Sequence, residues 1–244
     1  TPHNTFGIKA RCKRYVAFDN VAEAQGVLPQ LVASRERLLL LGGGSNLLLT
    51  GDFDGTVVHS QIKGMERHDD GAEYVLLRCG SGLVWDEVVA QCVAEGLYGA
   101  ENLSLIPGEV GASAVQNIGA YGAEVKDLIT TVEAIEMETG RIVQFTNAQC
   151  AYAYRQSRFK RDWKDCFFIT HVTYRLHRTF VPHLDYGNIK VALAEKGIIT
   201  PTPIELRQAI IDIRNAKLPD PKVEGNTGSF FMNPIVERSK FEAL

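Results

Sequence analysis

Two segments in the second half of the chain combine residues that can hold an anion or move a proton. Arg155 lies in residues 152–160, where three cations stand among aromatic side chains and a hydroxyl. Ser229 follows Gly228 and precedes two phenylalanines, with no histidine close in sequence to activate it as a nucleophile. A guanidinium can stabilise a developing negative charge, and a hydroxyl can deliver a proton to a strongly basic intermediate. The alternatives are a solvated basic loop for the first segment and a helix cap for the second.

A third segment could approach a phosphate through its backbone. The apolar run 37–41 predicts a buried strand, and it leads into Gly42, Gly43, Gly44, Ser45, Asn46 and Leu47. Three glycines remove side-chain bulk and free backbone N–H groups, which a pyrophosphate requires. No Walker lysine follows, and Leu47 replaces the third glycine of a Rossmann fingerprint. An ordinary turn therefore remains an alternative to a phosphate-binding loop.

A fourth segment, residues 106–122, is rich in small residues. Because it holds hydroxyl and amide donors but no acid–base pair, it favours cradling a cofactor over transferring a proton. Close packing of a helix against a strand is the alternative. The candidate residues are Pro107, Gly108, Gly111, Ala112, Ser113, Gln116, Asn117, Gly119, Ala120, Tyr121 and Gly122.

Composition limits the function classes. Of the 244 residues, 45% are hydrophobic and 23% are charged, and the formal net charge is −3, with no basic stripe, so we expect neither nucleic acid nor membrane as a partner. The five cysteines and six histidines are dispersed, without metal-ligand spacing. Reduced thiols and the lack of a secretory signal in residues 1–9 predict a cytoplasmic protein.

Strand and helix signals alternate without a regular βαβ repeat. Strands are predicted at 56–58, 74–79, 129–137, 141–145 and 166–176, with a hairpin turn at Thr139 and Gly140. A helix is predicted over residues 84–93. Another begins after Thr202, where Pro203 and Glu205 complete a capping box. Asn20 could cap a further helix, which Gly26 and Pro29 should shorten or kink.

The ordered set of these motifs resembles the UDP-N-acetylenolpyruvoylglucosamine reductase family over essentially the whole chain. The resemblance rests on the segments 4–7, 42–46, 106–122, 154–160, 217–221 and 228–231. It implies an α+β fold of the PCMH type, as in vanillyl-alcohol oxidase, with two FAD-binding subdomains. We place these at 1–62 and 63–218, followed by the start of a substrate-binding domain at 219–244.

The resemblance also implies the chemistry. NADPH reduces a noncovalently held FAD, and a hydride then passes to the vinyl carbon of UDP-N-acetylglucosamine enolpyruvate, giving UDP-N-acetylmuramate for peptidoglycan. Arg155 would stabilise the enolate and Ser229 would protonate it. The residues 42–47 and 106–122 would hold the cofactor. Substrate contacts would come from Tyr154, Tyr186, Lys217 and Asn233. A half-buried aromatic in a turn remains the alternative for Tyr186. We expect a monomer.

Two departures from the family pattern matter. Met232 stands where many members carry lysine, which puts a cationic substrate contact there in doubt. Residues 239–244 look like the middle of a helix, so we expect the substrate-binding domain, with a glutamate that polarises the substrate, to continue beyond Leu244. The competing functions are a flavin oxidase of the same fold, which often tethers FAD through histidine or cysteine, and a nucleotide-binding module without catalysis.

Overall fold

A small parallel sheet forms the first part of the structure. The computed structural model describes residues 3–234 and 236–242. Strand β1 (Cys12–Phe18), helix α1 (Val21–Ala33), strand β2 (Leu38–Leu41) and strand β3 (Phe53–Ser60) follow one another along the chain. The strands lie parallel in the order β1-β3-β2, and the apolar run at β2 is a strand as predicted.

Helix α1 is longer than its sequence indicates. The Asn20 side chain accepts a hydrogen bond from the Glu23 N–H at 2.9 Å, as expected of a cap. The helix spans 13 residues in all and includes Pro29, so the expected shortening was wrong, while the expected kink stays a prediction. Tertiary packing explains the difference, because the helix buries one apolar face against the small sheet. That face consists of Ala24, Leu28 and Leu31.

A five-stranded antiparallel sheet forms the second part, in the order β4-β5-β10-β8-β9. The hairpin predicted at Gly140 connects β8 and β9, with Gly140 at φ 74°. In chain order the elements are β4 (Met65–Asp70), β5 (Tyr74–Gly80), α2 (Trp85–Ala94), α3 (Val110–Gln116), β6 (Gly119–Ala120), β7 (Ala123–Glu124), β8 (Ile129–Glu136), β9 (Ile142–Thr146), α4 (Asn147–Cys150) and β10 (Phe167–His177).

The main hydrophobic core lies between this sheet and helices α2 and α3. Alternate residues of β5 and β10 face the core, as expected of a sheet covered on one side. Trp85 packs edge-on against Tyr174, with ring centroids 5.4 Å apart, and donates its indole N–H to the Leu103 carbonyl at 2.9 Å. This core fixes the start of α3, which forms part of the candidate site.

The two sheets share a second core. Phe18 of β1 meets Phe168 of β10 edge to face, with ring centroids 5.7 Å apart. Ile135 and Met137 of the larger sheet belong to the same cluster as Val58 of the smaller one. The sheets are therefore packed together at one end, and a cleft lies along their junction.

Helices α5 (Ile189–Glu195) and α6 (Pro203–Lys217) form a third, smaller cluster, and α7 (Arg238–Glu242) follows later in the chain. Both hydrogen bonds of the predicted capping box at Thr202 and Glu205 are present. The first sheet ends at Ser60 and the second begins at Met65. The boundaries at 62 and 218 stay a prediction, and Leu244 lies outside the described residues.

Free thiols are found at all five cysteines. Burial raises the pKa of the Cys92 thiol to about 12 and that of Cys150 to about 11, so both are poor nucleophiles. Over residues 3–234 and 236–242, no cluster of three His, Cys, Asp or Glu side chains could hold a metal ion.

None of the helices in the described part of the chain has both the length and the apolar character needed to cross a membrane.

Candidate functional site

The glycine loop after β2 lies with its backbone directly against the α3 segment. A Cβ on Gly42 would be 3.2 Å from the Ala112 Cβ, and one on Gly43 would be 3.5 Å from the Gly108 Cα. Gly44 has a φ of +63°, and a Cβ there would overlap the His3 carbonyl. Larger side chains would push the loop away from α3, so the glycines allow two stretches of backbone to form one wall.

Helix α3 lies inside the segment 106–122, which is rich in small residues. It spans Val110–Gln116 and ends at Asn117, which adopts the left-handed conformation at φ 48°. Gly111 packs against Ser81, which directly follows β5. A Cβ on Gly111 would be 2.9 Å from the Ser81 Cβ. Gly108 and Ala112 instead face the glycine loop. The small residues therefore serve helix–sheet packing and also line a cavity, and their role in holding a cofactor stays a prediction.

The first cavity has a volume of about 540 Å³ and lies between the glycine loop, α3 and the segment before β10. Its apolar lining comes mainly from β2, β3 and β10, and its charged lining residues are Glu109, Lys160, Lys164 and Asp165. Of the predicted cofactor residues, it is lined by Gly42, Gly43, Gly44, Ser45, Asn46, Leu47, Gly111, Ala112 and Gln116.

The second cavity has a volume of about 380 Å³ and adjoins the first. Both linings include Ser45, Asn46, Glu109, Ala112 and Gln116, so the two spaces meet along one wall. Of the predicted residues, this cavity also brings together Pro107, Gly108, Ser113, Gly119, Ala120, Tyr121, Arg155, Tyr186, Lys217 and Ser229.

Arg155 is held in place by backbone carbonyls. Its Nη1 donates to the Asn117 carbonyl at 3.4 Å and its Nη2 donates to the Gly119 carbonyl. The residue has a φ of 53°, and its own carbonyl accepts a hydrogen bond from Lys160 Nζ at 3.1 Å. A guanidinium has five N–H groups, so donors remain for a ligand. The left-handed backbone and the fixed side chain indicate a site built around this cation.

Helix α6 contributes two further cations to the second cavity. Arg214 and Lys217 are three residues apart, which places them on the same face of the helix. Arg214 Nε donates to the Leu105 carbonyl at 3.2 Å. Burial lowers the pKa of Arg214, with opposing effects from Tyr121 and Asp86 and a further lowering by Arg155. Three cations and one carboxylate, Glu109, line this cavity, and the excess of positive charge favours an anionic ligand.

Ser229 and Tyr186 lie at the open side of this cavity. Ser229 is exposed and follows Gly228, whose φ is +57° and whose N–H donates to Asn226 Oδ1 at 2.9 Å. Tyr186 is 58% exposed and packs over Gly122, where a Cβ would be 3.0 Å from the Tyr186 Cβ. A hydroxyl and an aromatic ring thus face the space that the cations enclose.

Four described residues with predicted site roles lie outside both linings: Asn117, Gly122, Tyr154 and Asn233. Asn117 acts through Arg155, because its carbonyl holds the guanidinium while its side chain donates to the Ala153 carbonyl at 2.9 Å. The Arg155 guanidinium lies 5.5 Å from the centre of the Tyr154 ring. Asn233 is exposed.

Several residues that line the two cavities were not predicted from the sequence. Arg214 could have been found, because it precedes Lys217 by three residues on a predicted helix. Glu109 lines both cavities and pairs with His59, which is 50 residues away in sequence. No local pattern connects those two positions.

Comparisons with known proteins agree on one family. A family profile described as an FAD binding domain matches residues 12–146. UDP-N-acetylenolpyruvoylglucosamine reductase of Bacteroides fragilis strain YCH46 is 48% identical over 242 residues, which are 99% of this chain and 72% of that protein. The same enzyme of Neisseria meningitidis serogroup B, strain MC58, is 44% identical over 245 residues, with 100% and 71% covered.

Solved structures show the same fold at lower identity. The crystal structure of UDP-N-acetylenolpyruvylglucosamine reductase from Thermus caldophilus has a TM-score of 0.67 and 19% identity, covering 95% of this chain and 72% of that one. A solvent-stable cholesterol oxidase has a TM-score of 0.56 and 12% identity, covering 72% and 36%. The predicted α+β FAD-binding fold of the PCMH type is confirmed.

Proposed function

This chain belongs to the UDP-N-acetylenolpyruvoylglucosamine reductase family, and we infer from this and from its cavities that it is an FAD-dependent oxidoreductase of peptidoglycan synthesis. It reduces UDP-N-acetylglucosamine enolpyruvate to UDP-N-acetylmuramate with NADPH as the reductant. The observation that carries this function is the glycine-walled cavity that adjoins a second cavity lined by Arg155, Arg214 and Lys217.

The residues present fit FAD. The cofactor is long, with a flat ring system at each end and a diphosphate between them, so it needs two connected spaces. The two cavities share a wall that contains Ser45 and Asn46. Next to these residues, the glycines of residues 42–44 leave the backbone N–H groups without covering side chains, which suits a diphosphate. We propose that this loop and residues 107–122 hold FAD.

We propose that FAD is bound noncovalently. Among the described residues that line the two cavities, none is a histidine or a cysteine. This distinguishes the protein from oxidases of the same fold that tether the flavin through such side chains. Acid precipitation separates the two cases, since a noncovalent flavin stays in the supernatant and a tethered one goes into the pellet.

Arg155 is proposed to stabilise the negative charge that develops on the substrate. When bound, the flavin would accept hydride from NADPH and, once reduced, would supply hydride to the vinyl carbon. As that carbon gains the hydride, charge builds up on the neighbouring carbon and its carboxylate. The carbonyls of Asn117 and Gly119 fix the Arg155 guanidinium before the reaction, so little reorganisation is needed.

Ser229 is proposed to donate the proton that completes the reduction. Its hydroxyl lines the same cavity as Arg155, and a serine can act as an acid here because a carbanion-like centre is strongly basic. Lys217 and Tyr186, which line this cavity, are proposed to bind the nucleotide part of the substrate. Tyr154 and Asn233 remain proposed substrate contacts outside the lining.

The function is tested by mixing FAD-loaded protein with NADPH in the absence of oxygen and then adding the UDP-sugar. Flavin absorbance should bleach with NADPH and return on addition of UDP-N-acetylglucosamine enolpyruvate. A nucleotide-binding module without catalysis would show no bleaching, and an oxidase would recover its colour with oxygen but not with the UDP-sugar.

We also propose that the protein is a cytoplasmic monomer that binds neither nucleic acid nor membrane. Five free cysteines and a nucleotide-activated substrate support the location. A net charge of −3 argues against a polyanionic partner. The molar mass measured by light scattering at several protein concentrations tests whether the protein is a monomer.

A further inference from the structure

A buried histidine–glutamate pair lies beside the glycine loop. His59 Nε2 is 2.9 Å from Glu109 Oε1 and 3.1 Å from Oε2, and the two side chains are only 9% and 12% exposed. The other ring nitrogen, Nδ1, is 2.6 Å from the Tyr15 hydroxyl. The imidazole is therefore hydrogen-bonded on both sides and has a fixed orientation.

Glu109 lies where a bound anionic cofactor would contact its carboxylate. It lines both cavities at their shared wall, and a Cβ on Gly42 would be 3.4 Å from its Oε2. Within the described residues, its side chain makes no capping hydrogen bond to α3 and is directed to His59 instead. An uncompensated carboxylate at this position would oppose binding of a diphosphate.

We propose that His59 and Glu109 are positioning residues for the cofactor, in which the His59 imidazole binds the Glu109 carboxylate and holds it in the wall beside the glycine loop. This inference rests on the proposed binding of FAD. It explains how an acidic side chain is compatible with a cavity that must accept an anion.

The groups around His59 are consistent with this positioning role. Three titratable side chains face His59: Glu109 from the start of α3, Tyr15 from β1 and His3 from the N-terminal segment. The residue that pairs with His59 on β2 is the uncharged Leu41. Burial and the charge of Glu109 raise the pKa of Tyr15, so the phenol stays neutral. Burial and the charge of His59 lower the pKa of His3, which keeps a second positive charge away.

A double-mutant cycle read by calorimetric FAD titration tests the proposal. His59→Gln should weaken FAD binding by roughly tenfold or more, because the Glu109 carboxylate loses the partner that holds it in the wall and then opposes the diphosphate. Glu109→Gln should bind FAD as tightly as the unmutated protein or more tightly. The double variant should return to within about threefold of it. His171→Gln is the matched control, since this buried histidine lies 3.8 Å from Glu133 and neither residue lines the first or the second cavity.

A second measurement shows whether a loss of binding is local. Without FAD, the circular dichroism spectrum and the thermal unfolding midpoint of His59→Gln should match those of the double variant, so that a difference in FAD affinity between them reports Glu109 and not misfolding. Equal losses of FAD affinity in the single and double variants would overturn the proposal. If the unmutated protein bound no FAD, the proposed function itself would fail, which is a distinguishable result.

Discussion

Arg155 combines a strained backbone with a guanidinium fixed by two carbonyls. We expect Arg155→Ala to slow reduction of the substrate by roughly 100- to 1,000-fold, because a preorganised charge facing a developing anion is lost. Reduction of the flavin by NADPH should slow much less. Stopped-flow absorbance measures both steps separately.

Arg158 provides the control for this substitution. It lies in the same segment but stacks on Trp163 at 4.2 Å and pairs with Asp162 at 3.5 Å. Arg158→Ala should leave both steps nearly unchanged. Equal slowing of both steps in Arg155→Ala would mean that Arg155 is structural.

Ser229 is exposed and has no neighbouring base in sequence, so its proposed role is that of an acid. Ser229→Ala should still allow flavin reduction but should lower product formation by roughly 100-fold or more, since one proton donor is removed. Ser229→Cys should keep more activity than the alanine variant, because a thiol can donate a proton. Normal product formation in Ser229→Ala would remove it from this role.

At the scale of single residues, candidate site residues could be proposed from the sequence where the neighbouring residues form a distinctive local pattern. Arg155 and Ser229 stand in distinctive local patterns, and both line the second cavity. His59 and Glu109 have no such pattern, because their pairing depends on how β3 and α3 are placed in the fold. Pairs between residues far apart in sequence depend on the tertiary structure, and no periodic pattern in the sequence predicts them.

Single elements differ in how well their sequences predict them. Helix α6 has a complete capping box, and its start was correctly predicted. Helix α3 was missed, because Gly111 lowers its helix propensity while contact with Ser81 stabilises it in the fold. In α1, burial of Leu28 similarly outweighs the cost of Pro29.

The contact between α2 and α6 makes a prediction about stability. Asp86 accepts from Arg207 Nη1 at 2.7 Å and Nη2 at 2.9 Å, and from the Leu105 N–H at 2.5 Å. Asp86→Asn should destabilise the protein by about 2 to 3 kcal/mol, because Arg207 would be left mostly buried without its charge partner. Urea unfolding measures this. The exposed Asp54, which pairs with Lys13, is the control, and Asp54→Asn should not move the midpoint.

The same contact predicts a pH dependence. Burial raises the pKa of Asp86, but the hydrogen bonds from Arg207 and Leu105 and the charges of Arg207 and Arg214 outweigh it, so the pKa is lowered overall. A lowered pKa stabilises the folded state above the unfolded value of about 3.9, and this contribution is lost as the pH falls through the folded value. The difference in unfolding free energy between the unmutated protein and Asp86→Asn should therefore shrink below about pH 4. A constant difference down to pH 2 would contradict it.

At the scale of the whole molecule, the site depends on how the two sheets are joined. Phe18 and Phe168 fix one end of the junction, and the first cavity takes its walls from both sheets. Sequence patterns predicted most strands but not which sheet each one joins, because strand order follows from long-range pairing. Only the resemblance to a family supplied that arrangement before the structure did.

Because the cavity walls come from both sheets, FAD should stabilise the folded protein as a whole. At a free concentration about 100 times its dissociation constant, FAD should add roughly 2.7 kcal/mol to the unfolding free energy. For a protein of this size, that corresponds to a rise in the midpoint of thermal unfolding of about 5 to 10 °C. Differential scanning calorimetry with and without FAD measures the shift, and ADP at the same concentration shows how much of it the adenine nucleotide half provides.

The central claim is that the two adjoining cavities hold one FAD. The direct test is to saturate the folded protein with FAD, remove free flavin by gel filtration, and determine the flavin-to-protein ratio after acid precipitation. We predict about one FAD per chain, all of it in the supernatant. A folded protein that retains no flavin would contradict the claim.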